Sequence, residues 1–143
     1  MSHVEQIMNR NVITIRPETT LADTVRLLTA HHIGGAPVVD DQNRVVGMVS
    51  ELQLLDLVFD PAAGSAPVSA YMAENVKSVS PQDTLAHAGQ LFALFAFRRL
   101  PVIEHGKLVG IITRRDLMNH TLSTGEQLAE PLWEFVPDLV EVA

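Results

Sequence analysis

The chain contains no cysteine among its 143 residues. Disulfide bonds, thiolate metal sites and a cysteine nucleophile are therefore excluded. No apolar run approaches the ~18 residues that a membrane-spanning helix needs. The first ten residues, "MSHVEQIMNR", also lack a basic start followed by an apolar stretch, so we expect no secretory signal. Together these features lead us to expect a cytoplasmic protein.

Basic residues are scarce as well. The chain has 10 Lys and Arg residues against 17 Asp and Glu residues, and its formal net charge is −7. An acidic surface disfavours nucleic acid and anionic lipid, so we expect neither as a partner. Hydrophobic residues make up 47% of the chain and charged residues 19%, which is typical of a globular protein. Any anionic ligand would therefore need a local cluster of cations.

The chain is an internal repeat. Pairs that match at a constant offset of 64 residues are Met8 and Met72, Asn11 and Asn75, Pro17 and Pro81, Thr20 and Thr84, and Pro37 and Pro101. After the last pair the offset falls by one, so that Gly47 matches Gly110 and Ser50 matches Thr113. A shared register over this length indicates two copies of one unit. We predict a first repeat at 4–60, a linker at 61–70, a second repeat at 71–123 and a tail at 124–143 that contains Trp133.

Each copy predicts the order strand, helix, strand, strand, helix, which is an α/β fold class. The first strand is "NVITI" or "NVKSVS", and Thr20 or Thr84 then opens a helix, with Asp23 as a capping partner. Two runs of strand residues form a hairpin in each copy, and a second helix follows, at 51–58 and at 114–122. A single unit of about 55 residues is marginal alone, so we expect the copies to pack sheet to sheet.

The first predicted helix of each copy carries an apolar stripe. The stripe residues are Leu21, Val25 and Leu28 in the first copy and Leu85, Ala88, Leu91, Phe92 and Phe95 in the second. The aromatic stretch "LFALFAF" is typical of core or of a dimer contact, and it is also compatible with an exposed partner surface.

Both copies end on one pattern, "VGMVSELQ" and "VGIITRRD", each preceded by a strand that contains Pro-Val. In these features the chain resembles a tandem pair of cystathionine-β-synthase (CBS) domains, a Bateman module, over roughly Val4 to Leu122. The resemblance implies a two-repeat α/β module, commonly a homodimer, that regulates another protein in trans. It also implies a sensor that binds AMP, ADP, ATP, NAD or S-adenosylmethionine in the cleft between its repeats, with no catalytic cofactor.

The two endings differ at their last position. Thr113 with Asp116, and Ser50 with Gln53, each suit the start of a helix, where they would form a cap. A carboxylate can in addition accept hydrogen bonds from two neighbouring hydroxyls, such as those of ribose. In the family the matching aspartate holds the ribose, with the threonine hydroxyl beside it. The alternative is that Asp116 is a cap and nothing more.

Arg98 and Arg99 lie just before Pro101, where phosphate-contacting residues fall in nucleotide-binding members of the family. A guanidinium group is planar and always charged, and it can bind phosphate through two donors. The alternative is that both arginines cap the end of the preceding helix and stay solvated. The first copy has Gly34 and Gly35 at these positions.

The resemblance implies that the first strand of the opposite copy packs on the base of the ligand. For the Asp116 site this maps to Ile13 and Thr14, with Ile111 or Ile112 as the apolar wall. The mirror site would consist of Ser50, Gln53, Gly35 and Lys77, with Val76 nearby. It lacks the carboxylate and the arginines, so we expect it to be weaker, different or empty.

Other chemistries lack a signal in the sequence. The six histidines show no i, i+4 spacing around a carboxylate, so we expect no metal site. No nucleophile elbow and no phosphate loop is present, so we expect no enzyme. The competing hypotheses are a structural module for dimerisation or partner binding without a physiological nucleotide, and a sensor of S-adenosylmethionine or NAD.

Overall fold

The structure, a computed structural model, describes residues 2–128. These residues form two compact units. The first-repeat unit consists of residues 11–77 and 105–108, and the second-repeat unit consists of residues 2–10, 78–104 and 109–128. Each unit combines helices with a two-stranded sheet, which confirms the α/β fold class. Most of the predicted tail, including Trp133, lies outside the described residues.

Nine helices and strands carry the fold of the described residues. The first repeat contains α1 (Leu21–Ala30), β1 (Gly35–Val39), β2 (Val45–Ser50), α2 (Glu51–Leu54) and α3 (Asp56–Phe59). The second repeat contains α4 (Leu85–Phe95), β3 (Arg99–Glu104), β4 (Lys107–Thr113) and α5 (Arg114–Thr124). Short 3₁₀ helices lie at Val4–Gln6, Pro61–Ser65 and Val68–Ala70.

The predicted helix starts at Thr20 and Thr84 are confirmed. The Thr20 hydroxyl accepts the backbone N–H of Asp23 at 3.1 Å, and the Thr84 hydroxyl accepts that of His87 at 3.1 Å. Each bond satisfies one of the backbone donors that a helix leaves free at its first turn. The Asp23 carboxylate, however, pairs with Arg26 at 2.7 Å instead of returning to the cap.

The hairpins form as predicted, β1 with β2 and β3 with β4, but the first strand of each copy is much shorter than expected. Ile15 makes one parallel bridge to Val38, and Val79 makes one to Val102. Pro17 lies two residues beyond Ile15 and has no backbone N–H to offer, so the pairing does not extend in that direction.

The last helix differs between the copies. The helix predicted at 51–58 is interrupted at Leu55, which separates α2 from α3 while itself keeping a right-handed helical conformation. The equivalent helix α5 is continuous and runs two residues beyond the predicted end at Leu122. The continuous α5 gives the second copy a longer, uninterrupted helix that begins at the predicted site.

Each unit has its own apolar core. In the first-repeat unit the core includes Ile15, Leu21, Leu28, Val38, Val49 and Val68, and in the second-repeat unit Val4, Met8, Val79, Leu85, Phe92, Val102 and Ile112. The predicted stripe is therefore largely correct. It is wrong at Phe95, which is 48% exposed and stacks on Phe97 with ring centroids 5.8 Å apart.

Candidate functional site

The start of α5 carries the predicted pair Thr113 and Asp116. The Thr113 hydroxyl accepts the Asp116 N–H at 3.1 Å, and Asp116 Oδ2 accepts the Thr113 N–H at 2.8 Å. Both residues are half-buried. Among the described residues, Asp116 Oδ1 accepts no further hydrogen bond. Thr113 and Asp116 thus form the predicted helix cap, and the cap uses only one of the two carboxylate oxygens.

The equivalent pair in the first repeat is bonded differently. Gln53 Oε1 accepts both the backbone N–H and the hydroxyl of Ser50, each at 2.7 Å. The Ser50 hydroxyl proton is therefore already used, and the remaining group of the amide is a donor. Gly35 lies opposite Ser50 in the sheet, as the mirror site requires. Lys77 belongs to the same unit, and its part in a mirror site stays a prediction.

Burial along β4 separates the two candidates for the apolar wall. Ile112 is fully buried in the core of the second-repeat unit, so its side chain has no surface to offer a ligand. Ile111 is half-buried and shares a strand face with Thr113, because alternate strand residues point the same way. The structure therefore favours Ile111. Its backbone also exchanges two hydrogen bonds of 2.9 Å with Asn9.

The segment before β3 places Arg98, a predicted phosphate contact, next to the start of α5. Helix α4 ends at Phe95, and the next residue, Ala96, adopts a left-handed conformation with φ of 54°. The Arg98 carbonyl then accepts the backbone N–H of Arg114 at 3.3 Å. Arg98 is exposed, whereas Arg99 opens β3 and is half-buried. Arg98 therefore lies beside the first turn that holds Asp116.

Ile13 and Thr14, the predicted base contacts, are half-buried and belong to the first-repeat unit. Their unit is distinct from the one that holds Asp116, Ile111 and Arg98. Their role in the site stays a prediction.

Sequence reasoning missed Arg114 and Arg115, the first two residues of α5. Both are exposed. Within residues 2–128, neither they nor Arg98 take part in an ion pair. A comparison of the two repeats could have identified these arginines, because the equivalent positions of the first copy hold Glu51 and Leu52.

Glu126 contacts the C-terminal end of α5 through its side chain. Its carboxylate pairs with His120 Nε2 at 2.8 Å and accepts the Ser2 hydroxyl at 2.7 Å. The His120 bond, and then the Ser2 bond, lower the pKa of Glu126 to about 2. This contact joins the N-terminal segment of the second-repeat unit to the segment that follows α5.

Two other site types find no candidate in the part of the chain that the structure describes. Residues 2–128 contain no group of three or more His, Asp or Glu residues that could hold a metal ion. None of their helices has the length and apolar character that crossing a membrane requires.

Comparisons with known proteins agree on one family. The CBS domain model matches this chain twice, at residues 4–60 and 68–123. The CBS domain-containing protein YhcV of Bacillus subtilis is 33% identical over 86% of this chain and 88% of its own length. MJ1225 of Methanocaldococcus jannaschii is 30% identical over 80% of this chain, which spans only 41% of that protein.

A solved structure gives the same result. The crystal structure of CBSX2, a protein of Arabidopsis thaliana, in complex with AMP superimposes with a TM-score of 0.80 at 30% identity. The superposition covers 88% of this chain and all of the CBSX2 chain. The likeness therefore extends over the whole of a CBS-domain pair.

Proposed function

This chain belongs to the CBS domain family, and from that premise we propose that it is a non-catalytic sensor of an adenosine-containing ligand. In this proposal the ligand binds at the start of α5 in the second repeat, and its occupancy regulates a protein in trans. The complex of CBSX2 with AMP supports the ligand class, since that structure and this chain share a fold at 30% identity.

The observation that carries the proposal is the bonding of Asp116. Its Oδ2 is used by the helix cap, while Oδ1 accepts no bond among the described residues. A half-buried carboxylate oxygen without a donor is well suited to ribose hydroxyls, since charge-assisted hydrogen bonds of this kind contribute ~1.5–3 kcal/mol each. Gln53, at the equivalent position, has its oxygen occupied twice by Ser50.

The neighbouring residues complete the proposed site. Ile111 would supply apolar surface on the Thr113 face of β4, and Arg98 would contact a phosphate. Arg99 is a second candidate for that phosphate. Ile13 and Thr14 are proposed to contact the base.

Titration calorimetry with AMP, ATP, NAD and S-adenosylmethionine tests the proposal. One ligand should bind at about one per chain, and Asp116→Asn should weaken it by about tenfold or more. Asparagine keeps an acceptor for the Thr113 N–H, so the helix cap survives and a loss of binding reports the charge. Asp23→Asn is the matched control, since it makes the same change at the third residue after the Thr20 cap of α1, and it should leave this binding unchanged. Absence of binding by all four ligands would refute the proposal.

A second function, dimerisation or partner binding, is favoured by exposed apolar side chains. Leu52, Val58, Phe59 and Leu122 are 71–86% exposed, and the first three lie close together in sequence on the α2–α3 segment. In the first-repeat unit a groove of about 480 Å³ with a mixed polar and apolar lining runs between α1 and the α2–α3 segment, and Val58 lines it. Light scattering should give a dimer mass that falls to the monomer mass in Val58→Ser with Phe59→Ser. A monomeric wild-type chain would contradict homodimerisation at this face.

A further inference from the structure

Four of the ten Lys and Arg residues of this acidic chain are grouped around the start of α5. Arg114 and Arg115 form its first two positions, and Arg98 and Arg99 lie just before and at the start of β3. The hydrogen bond from Arg114 N–H to the Arg98 carbonyl holds the two segments together. The group therefore belongs to the site that contains Asp116.

The first repeat provides an internal comparison. Its Gly34 carbonyl accepts the Glu51 N–H at 3.0 Å, which is the same backbone contact as the one between Arg98 and Arg114. The backbones thus agree, while the side chains do not. The four equivalent positions, 34, 35, 51 and 52, hold Gly, Gly, Glu and Leu and carry no cation.

The positive charges of Arg114 and Arg115 lie at the N-terminal end of α5, which is the least favourable end of a helix for a cation. The first turn of a helix already carries the positive end of the macrodipole, which favours acidic side chains there. In the first repeat, Glu51 follows that rule. In the second, Arg114 and Arg115 oppose it, and Asp116 is the acidic residue of the turn. An anion bound there would relieve the repulsion between these side chains and the positive end of the helix.

A single phosphate does not account for so many guanidinium groups. Arg98 alone can bind one phosphate through two donors. Arg114 and Arg115 then remain exposed and without an ion pair within residues 2–128. A chain of two or three phosphates offers a separate anionic group to more than one of these side chains.

We propose that the second-repeat site selects an adenosine ligand with a di- or triphosphate over AMP, with Arg114 and Arg115 binding the outer phosphates. The inference rests on the proposed function and names its ligand. S-adenosylmethionine is disfavoured by the same charges, because its sulfonium is a cation. Inorganic tripolyphosphate shares the outer-phosphate chemistry but has no ribose for Asp116.

The test is competitive titration of the full chain with AMP, ADP, ATP and tripolyphosphate at fixed salt. ATP should bind about tenfold or more tightly than AMP, and Arg114→Gln with Arg115→Gln should remove most of that ratio while changing AMP affinity less than about threefold. Arg26→Gln, an exposed arginine of α1, is the control and should leave the ratio unchanged. Raising the salt concentration should weaken ATP more than AMP.

The outcomes separate this inference from the proposed function. If AMP binds as tightly as ATP and is lost in Asp116→Asn, the sensor stands and the selection for outer phosphates is wrong. If ATP and tripolyphosphate bind equally and Asp116→Asn changes neither, the cluster is a polyphosphate site and the adenosine assignment fails. If no compound binds, both are wrong. A normal unfolding transition of the double variant excludes misfolding as the cause of a loss.

Discussion

Replacing Gly110 by alanine should destabilise the second-repeat unit, because the space for a side chain is already filled by the N-terminal segment. A Cβ atom at Gly110 would lie 2.7 Å from Met8 Sδ, 3.1 Å from Met8 Cγ and 3.2 Å from the Asn9 carbonyl oxygen. Met8 is only 8% exposed and belongs to the core. The sulfur therefore has little room to withdraw, and the carbonyl is fixed by its bond to Ile111.

Overpacking of this kind costs about 1–3 kcal/mol. For a chain of this size that corresponds to a fall in Tm of roughly 3–10 °C. Gly89→Ala is the matched control, since its Cβ would meet only Leu117 Cδ1 at an ordinary 3.8 Å. Gly89 lies within α4, where alanine is the better helix former, so this substitution should stabilise by about 0.5–1 kcal/mol.

Chemical denaturation of both variants measures the two free energies. Met8→Ala tests the stated cause, because it removes the two side-chain atoms that collide with the new methyl group. Gly110→Ala should then cost at least about 1 kcal/mol less in the Met8→Ala background than in the wild type. Equal costs in both backgrounds, or a Gly110→Ala variant as stable as Gly89→Ala, would refute the reasoning.

Two further substitutions test other features of the second-repeat unit. Ala96→Gly should stabilise by about 0.5–1 kcal/mol, because alanine at φ of 54° is strained and glycine is not; a loss of stability in denaturant would contradict this. Glu126→Gln should lower stability at pH 7 and bring the variant level with the wild type as the pH falls from about 4.5 to about 2. In the folded chain the pKa of Glu126 is about 2, below its ordinary 4.5, so its contribution is present above that ordinary value and is lost on acidification. An unchanged difference between pH 7 and pH 2 would exclude the bonds to His120 and Ser2 as its source.

The repeat made much of this fold readable from the sequence. The helix caps at Thr20, Thr84 and Thr113 could be predicted from the local sequence, because each hydroxyl accepts the backbone N–H of the residue three positions later. The hairpins follow from strand runs joined by short turns. The helix bounds were predicted less accurately, because nothing in "ELQLLDLVF" indicates that Leu55 separates two short helices.

Long-range packing was the part that local patterns did not show. Met8 lies within the first repeat, which spans 4–60, yet its side chain belongs to the core of the second-repeat unit. Phe95 follows the helical stripe but remains 48% exposed, because it is the last residue of α4 and stacks on Phe97 instead. The site was predicted at Asp116 and Thr113, while Ile112 proved to face the core and Arg114 and Arg115 were overlooked. The two arginines stand out only when the repeats are compared, because the first repeat has no cation at the equivalent positions.

The proposed role of Asp116 as the ribose contact is tested most directly by a thermodynamic cycle. In this cycle the hydroxyls are removed from the ligand and the carboxylate from the protein, separately and together. The measurement is calorimetric affinity for AMP and for 2′,3′-dideoxy-AMP, in the wild type and in Asp116→Asn. Loss of the hydroxyls should weaken binding to the wild type by about tenfold or more and should change little in the variant, because the group that accepts them has lost its charge. The same loss in both proteins would show that Asp116 is only a helix cap.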